Sequence, residues 1–172
     1  CQLMSEGKEI YSLNKENLLS AKPDLIISQN ICEVCSAHTE HVNMAVEMLE
    51  KKPEVYTMDP HDVSEILTSI KDISKIIGEE KEGNGLIDSL SKRLEFVKSK
   101  MFEKKPKVVA IEWVDPFFTS GHWIPEMIET AGGENLISTE KMPSRKMKLE
   151  EIKEANPDII VMMPCGFDVK RT

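Results

Sequence analysis

The chain has 172 residues, 40% hydrophobic and 30% charged, enough apolar material to bury a core and a length that permits one domain or two small ones. Lysine and arginine number 22 against 30 aspartate and glutamate, a net charge of −8, which argues against nonspecific nucleic-acid binding because that depends on basic surface to neutralise phosphates. No apolar run reaches the length of a membrane-spanning helix, and no basic-then-apolar signal segment is visible.

The chain opens with Cys1 and not Met, so it is expected to be a fragment or a processed product. A mature lipoprotein also begins with cysteine, but here the following residues run straight into foldable sequence, and the fragment reading is preferred. Four cysteines in a chain of this length are too few for a disulfide scaffold, which leaves the compartment open.

In chain order, Glu16-Asn17-Leu18-Leu19-Ser20-Ala21 reads as an amphipathic turn, followed by Pro23-Asp24 and a strand at Leu25-Ile26-Ile27. Residues 37–52 carry Val42, Ala45, Val46 and Leu49 at helical spacing, and Pro53 ends that helix. A short strand is expected at Glu54-Val55-Tyr56-Thr57-Met58. Asp59-Pro60 then looks like a helix start, with Asp59 as N-cap and Pro60 at the first helical position. Gly78 closes this helix, and the charged, glycine-containing residues 79–85 read as a break. Leu86, Leu90, Leu94, Val97 and Met101 mark one face of a long helix over residues 86–104, about 28 Å in length.

A second α/β region follows. Residues 107–111 read as a strand, 112–121 as an aromatic-rich loop, and 124–131 as a helix starting at Pro125 and stopping at Gly132-Gly133. The first unit then recurs as Glu150-Glu151-Ile152-Lys153-Glu154-Ala155-Asn156-Pro157-Asp158-Ile159-Ile160-Val161. Strands alternating with helices, with one unit used twice, predict an α/β protein of two related lobes with parallel sheets.

Ligands of open parallel sheets bind beyond the carboxyl ends of the strands. Three loops leave strands in that sense: Gln29-Asn30-Ile31-Cys32-Glu33-Val34-Cys35, Glu112-Trp113-Val114-Asp115-Pro116-Phe117-Phe118, and Pro164-Cys165-Gly166-Phe167-Asp168. In a chain only 5% aromatic, the aromatic residues here, with His122-Trp123 just beyond, favour a binding surface over core packing. The Cys32-x-x-Cys35 pair with His38, and the distant Cys165, is a candidate metal set; the alternatives are a thiol-redox pair, which Glu33 disfavours by raising the thiol pKa, and a plain loop of two thiols. His61 and Asp62 are read as structural residues of a capped first turn. Arg145 is read as an exposed loop cation able to reach an anionic group. No phosphate-binding glycine loop and no nucleophile elbow is present.

These segments resemble the class III, or helical-backbone, substrate-binding proteins of ABC importers for cobalamin and iron complexes. The resemblance is carried by Leu18-x-x-Ala21-x-Pro23-Asp24-Leu25-Ile26, the Gln29–Cys35 loop, Glu112-Trp113-x-Asp115-Pro116, Gly121-His122-Trp123-Ile124-Pro125-Glu126-Met127-x-x-x-Ala131-Gly132-Gly133, Pro157-Asp158-Ile159-Ile160, and Met163-Pro164-Cys165-Gly166-Phe167-Asp168. The cysteine-bearing motifs are similar to the cobalamin-binding branch. The resemblance implies two Rossmann-like lobes joined by a long rigid helix, both lobes shorter than in the family: 1–78 as the N-terminal lobe, 79–105 as the connector and 106–172 as the C-terminal lobe. It implies no catalysis, an extracytoplasmic location, an ABC permease as partner, and cobalamin, haem or an iron–siderophore as ligand. By position, Gln29, Asn30, Cys32, Cys35, Trp113, Asp115, Phe117, His122, Trp123, Cys165 and Phe167 would line the ligand cleft. The competing expectations are a metal-handling or thiol-redox protein built on the cysteines, and a fragment stable only as a homo-oligomer because absent strands leave sheet edges bare.

Overall fold

The computed structural model describes residues 13–31, 39–100, 103–170 and 172. The chain divides into two compact units, Cys1–Asp59 and Pro60–Thr172.

In the first unit, Asn14 caps helix α1 (Lys15–Ala21) by accepting the Asn17 N–H at 2.9 Å, which satisfies one of the unpaired donors of the first turn. Strand β1 (Leu25–Gln29), helix α2 (Thr39–Met48) and strand β2 (Glu54–Met58) follow. The strands pair in parallel from Leu25 opposite Glu54 to Gln29 opposite Met58, and Ser28 and Thr57 share a hydroxyl hydrogen bond of 2.9 Å across the pair. Ala45 and Leu49 are the buried contacts of the α2 region. The helix expected to reach residue 52 ends at Met48, and the chain turns through residues 49–53 into β2.

The second unit opens with α3 (Val63–Ile76), and its start corrects the sequence expectation. The N-cap is Asp62, not Asp59: its Oδ1 accepts the Glu65 N–H at 2.7 Å, while Glu65 Oε2 reaches back to accept the His61 N–H at 2.6 Å. The Asp62 side chain thus satisfies an orphan first-turn N–H while Glu65 ties down the residue before the cap, and together these outweigh the Asp-Pro signal three residues earlier. The chain turns at Gly78, held at φ 76°, and continues as α4 (Glu80–Lys98).

The expected break at 79–85 is therefore the first two turns of α4, and the helix ends at Lys98, short of residue 104. Gly83 is there for packing. A Cβ on it would run into Ser74 Oγ of α3, so the absent side chain lets the two helices approach closely. Sequence periodicity registers such a glycine as a break, because it counts missing apolar surface and not how near a neighbouring helix lies.

The sheet of the second unit is built on β3 (Lys107–Val114). The stretch expected as a loop is a hairpin: β3 runs through Val114, turns at a cis Asp115–Pro116 bond, and returns as β4 (Phe117–Thr119). Helix α5 (Ile124–Thr130), the short β5 (Glu134–Asn135), α6 (Leu149–Ala155) and β6 (Ile159–Met162) complete it. Val108 pairs with both Asn135 and Ile159, and Ile111 with both Thr119 and Met162. Hence β6 lies parallel along one edge of β3, while parallel β5 and antiparallel β4 follow one another along the other. As a central strand covered on both sides, β3 is apolar and buried continuously from Val108 to Ile111. Its core cluster joins Val109 and Ile111 to Met147 and to Ile152 of α6, with Phe117, Leu136, Ile137 and Ala155 packed against it.

Candidate functional site

The carboxyl ends of β3 and β6 bring two of the expected binding residues together. Trp113, near the end of β3, lies with its ring centre 5.4 Å from that of Phe167, tilted by 42°. The indole N–H is donated to the Asp115 carbonyl at 3.0 Å, which fixes the ring over the hairpin turn. Phe167 is carried by a tight turn in which its N–H bonds Pro164 O and Gly166 adopts φ 77°. Phe167 is 41% exposed; Cys165, two residues before it, and Asp115, two residues after Trp113, are exposed as well. An apolar ring left in water at a strand end, tilted against a second ring, is a surface suited to a flat ligand. Phe117 differs: it packs against the core cluster.

His122 and Trp123 belong to another ring cluster. The His122 ring centre is 5.8 Å from that of Trp123 and 5.6 Å from that of His61, the latter pair tilted by 54°. Two local features place His122. Its backbone is left-handed at φ 53°, a conformation that costs an L-residue about 1 kcal/mol. The neighbouring chain holds it there: His122 N donates to Met142 O at 2.7 Å and Lys141 N donates to His122 O at 3.1 Å. Gly121 permits this contact, since a Cβ there would strike Ser144 N and lie 2.9 Å from Met142 O. The Gly121 N–H is donated to Glu112 Oε1 at 3.1 Å, which ties the turn to β3.

The opposing wall is the start of α3. Lys141 Nζ meets Asp62 Oδ2 at 2.8 Å, Glu126 Oε2 accepts the Val63 N–H at 2.9 Å, and Glu65 Oε2 lies 3.5 Å from His61 Nδ1. The lysine hydrogen bond and the Glu65 N–H hold the largely buried Asp62 carboxyl below the usual range, and Asp62 raises Lys141 in return. Trp123 also lines an apolar groove of about 490 Å³ between α3, α4 and α5, with Val63, Leu67, Leu94 and Met127.

Gln29 and Asn30 lie in the first unit at the carboxyl end of β1. Asn30 N donates to Met58 O, and Gln29 borders an apolar pocket of about 720 Å³ with Ile27, His41 and Met58. Cys32, Cys35 and His38 lie outside the described residues. Among the described residues no three His, Cys, Asp or Glu side chains gather closely enough to hold a metal ion by themselves. Arg145 is committed to structure: it meets Glu151 at 2.8 Å and bonds Lys146 O, and it depresses the Glu151 carboxyl.

His61, read from the sequence as a structural residue of a capped turn, does sit in that turn, and the structure adds a ring contact with His122.

Residues 6–171 match the model of a protein family described as periplasmic binding protein. The chain belongs to the periplasmic binding protein family. Among curated relatives, the high-affinity heme uptake system protein IsdE of Staphylococcus aureus (strain Newman) is 25% identical over 158 residues, covering 90% of this chain and 52% of that protein. An ABC transporter substrate-binding protein from Listeria monocytogenes EGD-e superposes with a TM-score of 0.74 at 25% identity, covering 91% of this chain and 59% of the other. The vitamin B12 binding protein BtuF of Vibrio cholerae shares the fold at a TM-score of 0.66 and 20% identity, covering 90% of this chain and 59% of the other. The chain thus spans about half the length of the curated relatives it matches. Its mixed α/β architecture with parallel strands is that of these periplasmic binding proteins. Among the described residues no helix is long and apolar enough to cross a membrane.

Proposed function

We propose that the chain is part of the substrate-binding component of an ABC importer and takes a flat, metal-containing ligand, a corrinoid, a haem or an iron complex. Membership of the periplasmic binding protein family supports the transport role. The observation that carries the ligand class is the tilted Trp113–Phe167 ring pair, with Phe167 exposed beyond the ends of β3 and β6. Stacking on a planar macrocycle uses two such rings without demanding a fixed hydrogen-bond pattern. Relatives described as a heme uptake system protein and a vitamin B12 binding protein point to the same chemistry.

In this proposal the protein is not an enzyme. It works outside the cytoplasm and hands its ligand to a membrane permease. The lobe assignment of 1–78 and 106–172 with 79–105 between them belongs to the same proposal. So does the role of Gln29, Asn30, Cys32, Cys35, Asp115, Trp123 and Cys165 as ligand neighbours, whereas Phe117, packed on the core cluster, leaves that set.

The test is titration with cobalamin, haem and a ferric siderophore while tryptophan fluorescence is followed. Saturable quenching by one of them, weakened in Trp113→Ala and Phe167→Ala, is expected. No response to any of the three, in this chain and in a full-length version, refutes the ligand class.

A further inference from the structure

We propose that the face where α3, α4 and α5 meet binds a single-chain amphiphile with a phosphate-type anionic head, its chain in the apolar groove and its head in an adjoining lysine-lined hollow. This goes beyond the proposed function, and of the ligand neighbours named there the groove shares only Trp123. The groove measures about 490 Å³ and is walled by Val63, Leu67, Leu94, Val97 and Met127. That volume falls within the range of small-molecule sites, about 300–1,000 Å³. Met127 is 48% exposed and Val97 37%, apolar surface that an acyl chain covers on binding.

The hollow lies next to it. Lys98, Lys100 and Lys105 line a space of about 420 Å³ together with Glu129, Thr130 and Gly132. Thr130 borders both spaces, and Val97 and Ala131 of the groove are the chain neighbours of Lys98 and Gly132 of the hollow. A chain in one space and a head in the other are therefore parts of one molecule of ordinary length.

Charge selects the head. The protein carries a net charge of −8, yet residues 92–107 hold seven lysines and arginines against two glutamates. Two lysines of the hollow have carboxylates nearby. Lys98 lies 3.6 Å from Glu95 and Lys105 3.4 Å from Glu129, whose other oxygen accepts the Asn135 N–H. Lys100 instead sits 4.0 Å over the Phe96 ring, and Arg93 lines the groove; among the described residues neither has a carboxylate partner. Ammonium and guanidinium groups donate charge-assisted hydrogen bonds to phosphate oxygens, and a cationic head is repelled by the same groups.

The probe is n-dodecyl phosphate below its micelle concentration, followed by calorimetry, with quenching of Trp123 in the groove as a second signal. Saturable one-to-one binding is expected. It should strengthen roughly threefold per CH2 from octyl to dodecyl phosphate, as each methylene leaves water. Dodecyl maltoside, with the same chain and a neutral head, should bind about tenfold more weakly or less, and dodecyltrimethylammonium should not bind. Met127→Asp should weaken dodecyl phosphate about tenfold. Arg93→Gln and Lys100→Gln should each weaken it about fivefold and leave the maltoside unaffected. Lys153→Gln on α6, an equal change of charge elsewhere, should alter nothing. Circular dichroism checks that each variant folds.

Equal affinity for the three heads, no dependence on chain length, or indifference to Arg93→Gln and Lys100→Gln overturns the site. So does binding in this chain that vanishes in a longer version, because the groove is then filled by the protein's own continuation. Vesicles separate the two sources of such a ligand, and both results keep the site. Co-sedimentation with phosphatidylglycerol vesicles and not with phosphatidylcholine vesicles identifies a membrane lipid. Dodecyl phosphate binding without co-sedimentation identifies a free amphiphile.

Discussion

At Ala21-Lys22-Pro23-Asp24 and at Ala155-Asn156-Pro157-Asp158 the chain makes one local structure twice. Each helix ends on a left-handed residue, Lys22 at φ 45° and Asn156 at φ 46°, and proline and aspartate then lead into a parallel strand. What surrounds the two copies differs. Ile152 of the second is 6% exposed inside the core cluster, whereas Leu18, its counterpart, is only half-buried. Asp158 accepts the Lys107 backbone N–H at 2.8 Å, while Asp24 meets Lys51 Nζ at 2.6 Å with both side chains more than four-fifths exposed. The same sequence grammar thus sets the same backbone, and the energy each copy contributes is set by its neighbours.

The sharpest test of that contrast is truncation of the matched apolar residues. Ile152→Ala should cost about 2–4 kcal/mol by leaving a cavity between β3 and α6, and Leu18→Ala about 1 kcal/mol, both read by chemical denaturation. Similar losses at the two positions would break the comparison. Next comes the aspartate pair. Asp158→Ala should cost about 1 kcal/mol, because the Lys107 N–H loses its acceptor.

The left-handed residues give a smaller, signed effect. Asn156→Ala should destabilise by about 1 kcal/mol, and Lys22→Asn should stabilise by roughly 0.5 kcal/mol, since asparagine accepts this conformation more readily than other side chains. Asp24→Ala is expected to be the least consequential, with an effect that fades as salt is added, as for exposed ion pairs. Its sign with pH follows from the Lys51 hydrogen bond, which holds the Asp24 carboxyl below its ordinary value. The contribution is present above the ordinary carboxylate range and is lost as pH falls through the lowered value; a denaturation series in acid checks it.

Much of the fold was legible because it is locally encoded. Strand β2 falls on the expected residues 54–58, α5 opens at Ile124-Pro125 and stops before Gly132, and both Pro-Asp strands follow their helices, since period, proline and glycine act within a few residues. The errors share a different cause. The start of α3 was settled by the Asp62–Glu65 exchange, and α4 runs through Gly83 because Ser74 of α3 presses against it. Residues 112–121 fold as a hairpin because β4 finds hydrogen-bonding partners along β3.

The candidate site shows the same division. Sequence by itself determined the α/β alternation, the twin Pro-Asp units and the loops rich in aromatic, cysteine and histidine residues, because each is a property of a short stretch of chain. Only the tertiary structure decided that Trp113 meets Phe167 ring against ring, that Phe117 turns to the core, that Arg145 is tied to Glu151, and that His61 stands against His122. His61 and His122 are far apart in the chain, and no local preference records a contact between them. The meeting is set by where the start of α3 packs against α5 and the 141–142 segment, through the Glu126–Val63 and Asp62–Lys141 bonds, and such partners become visible only once the chain has folded.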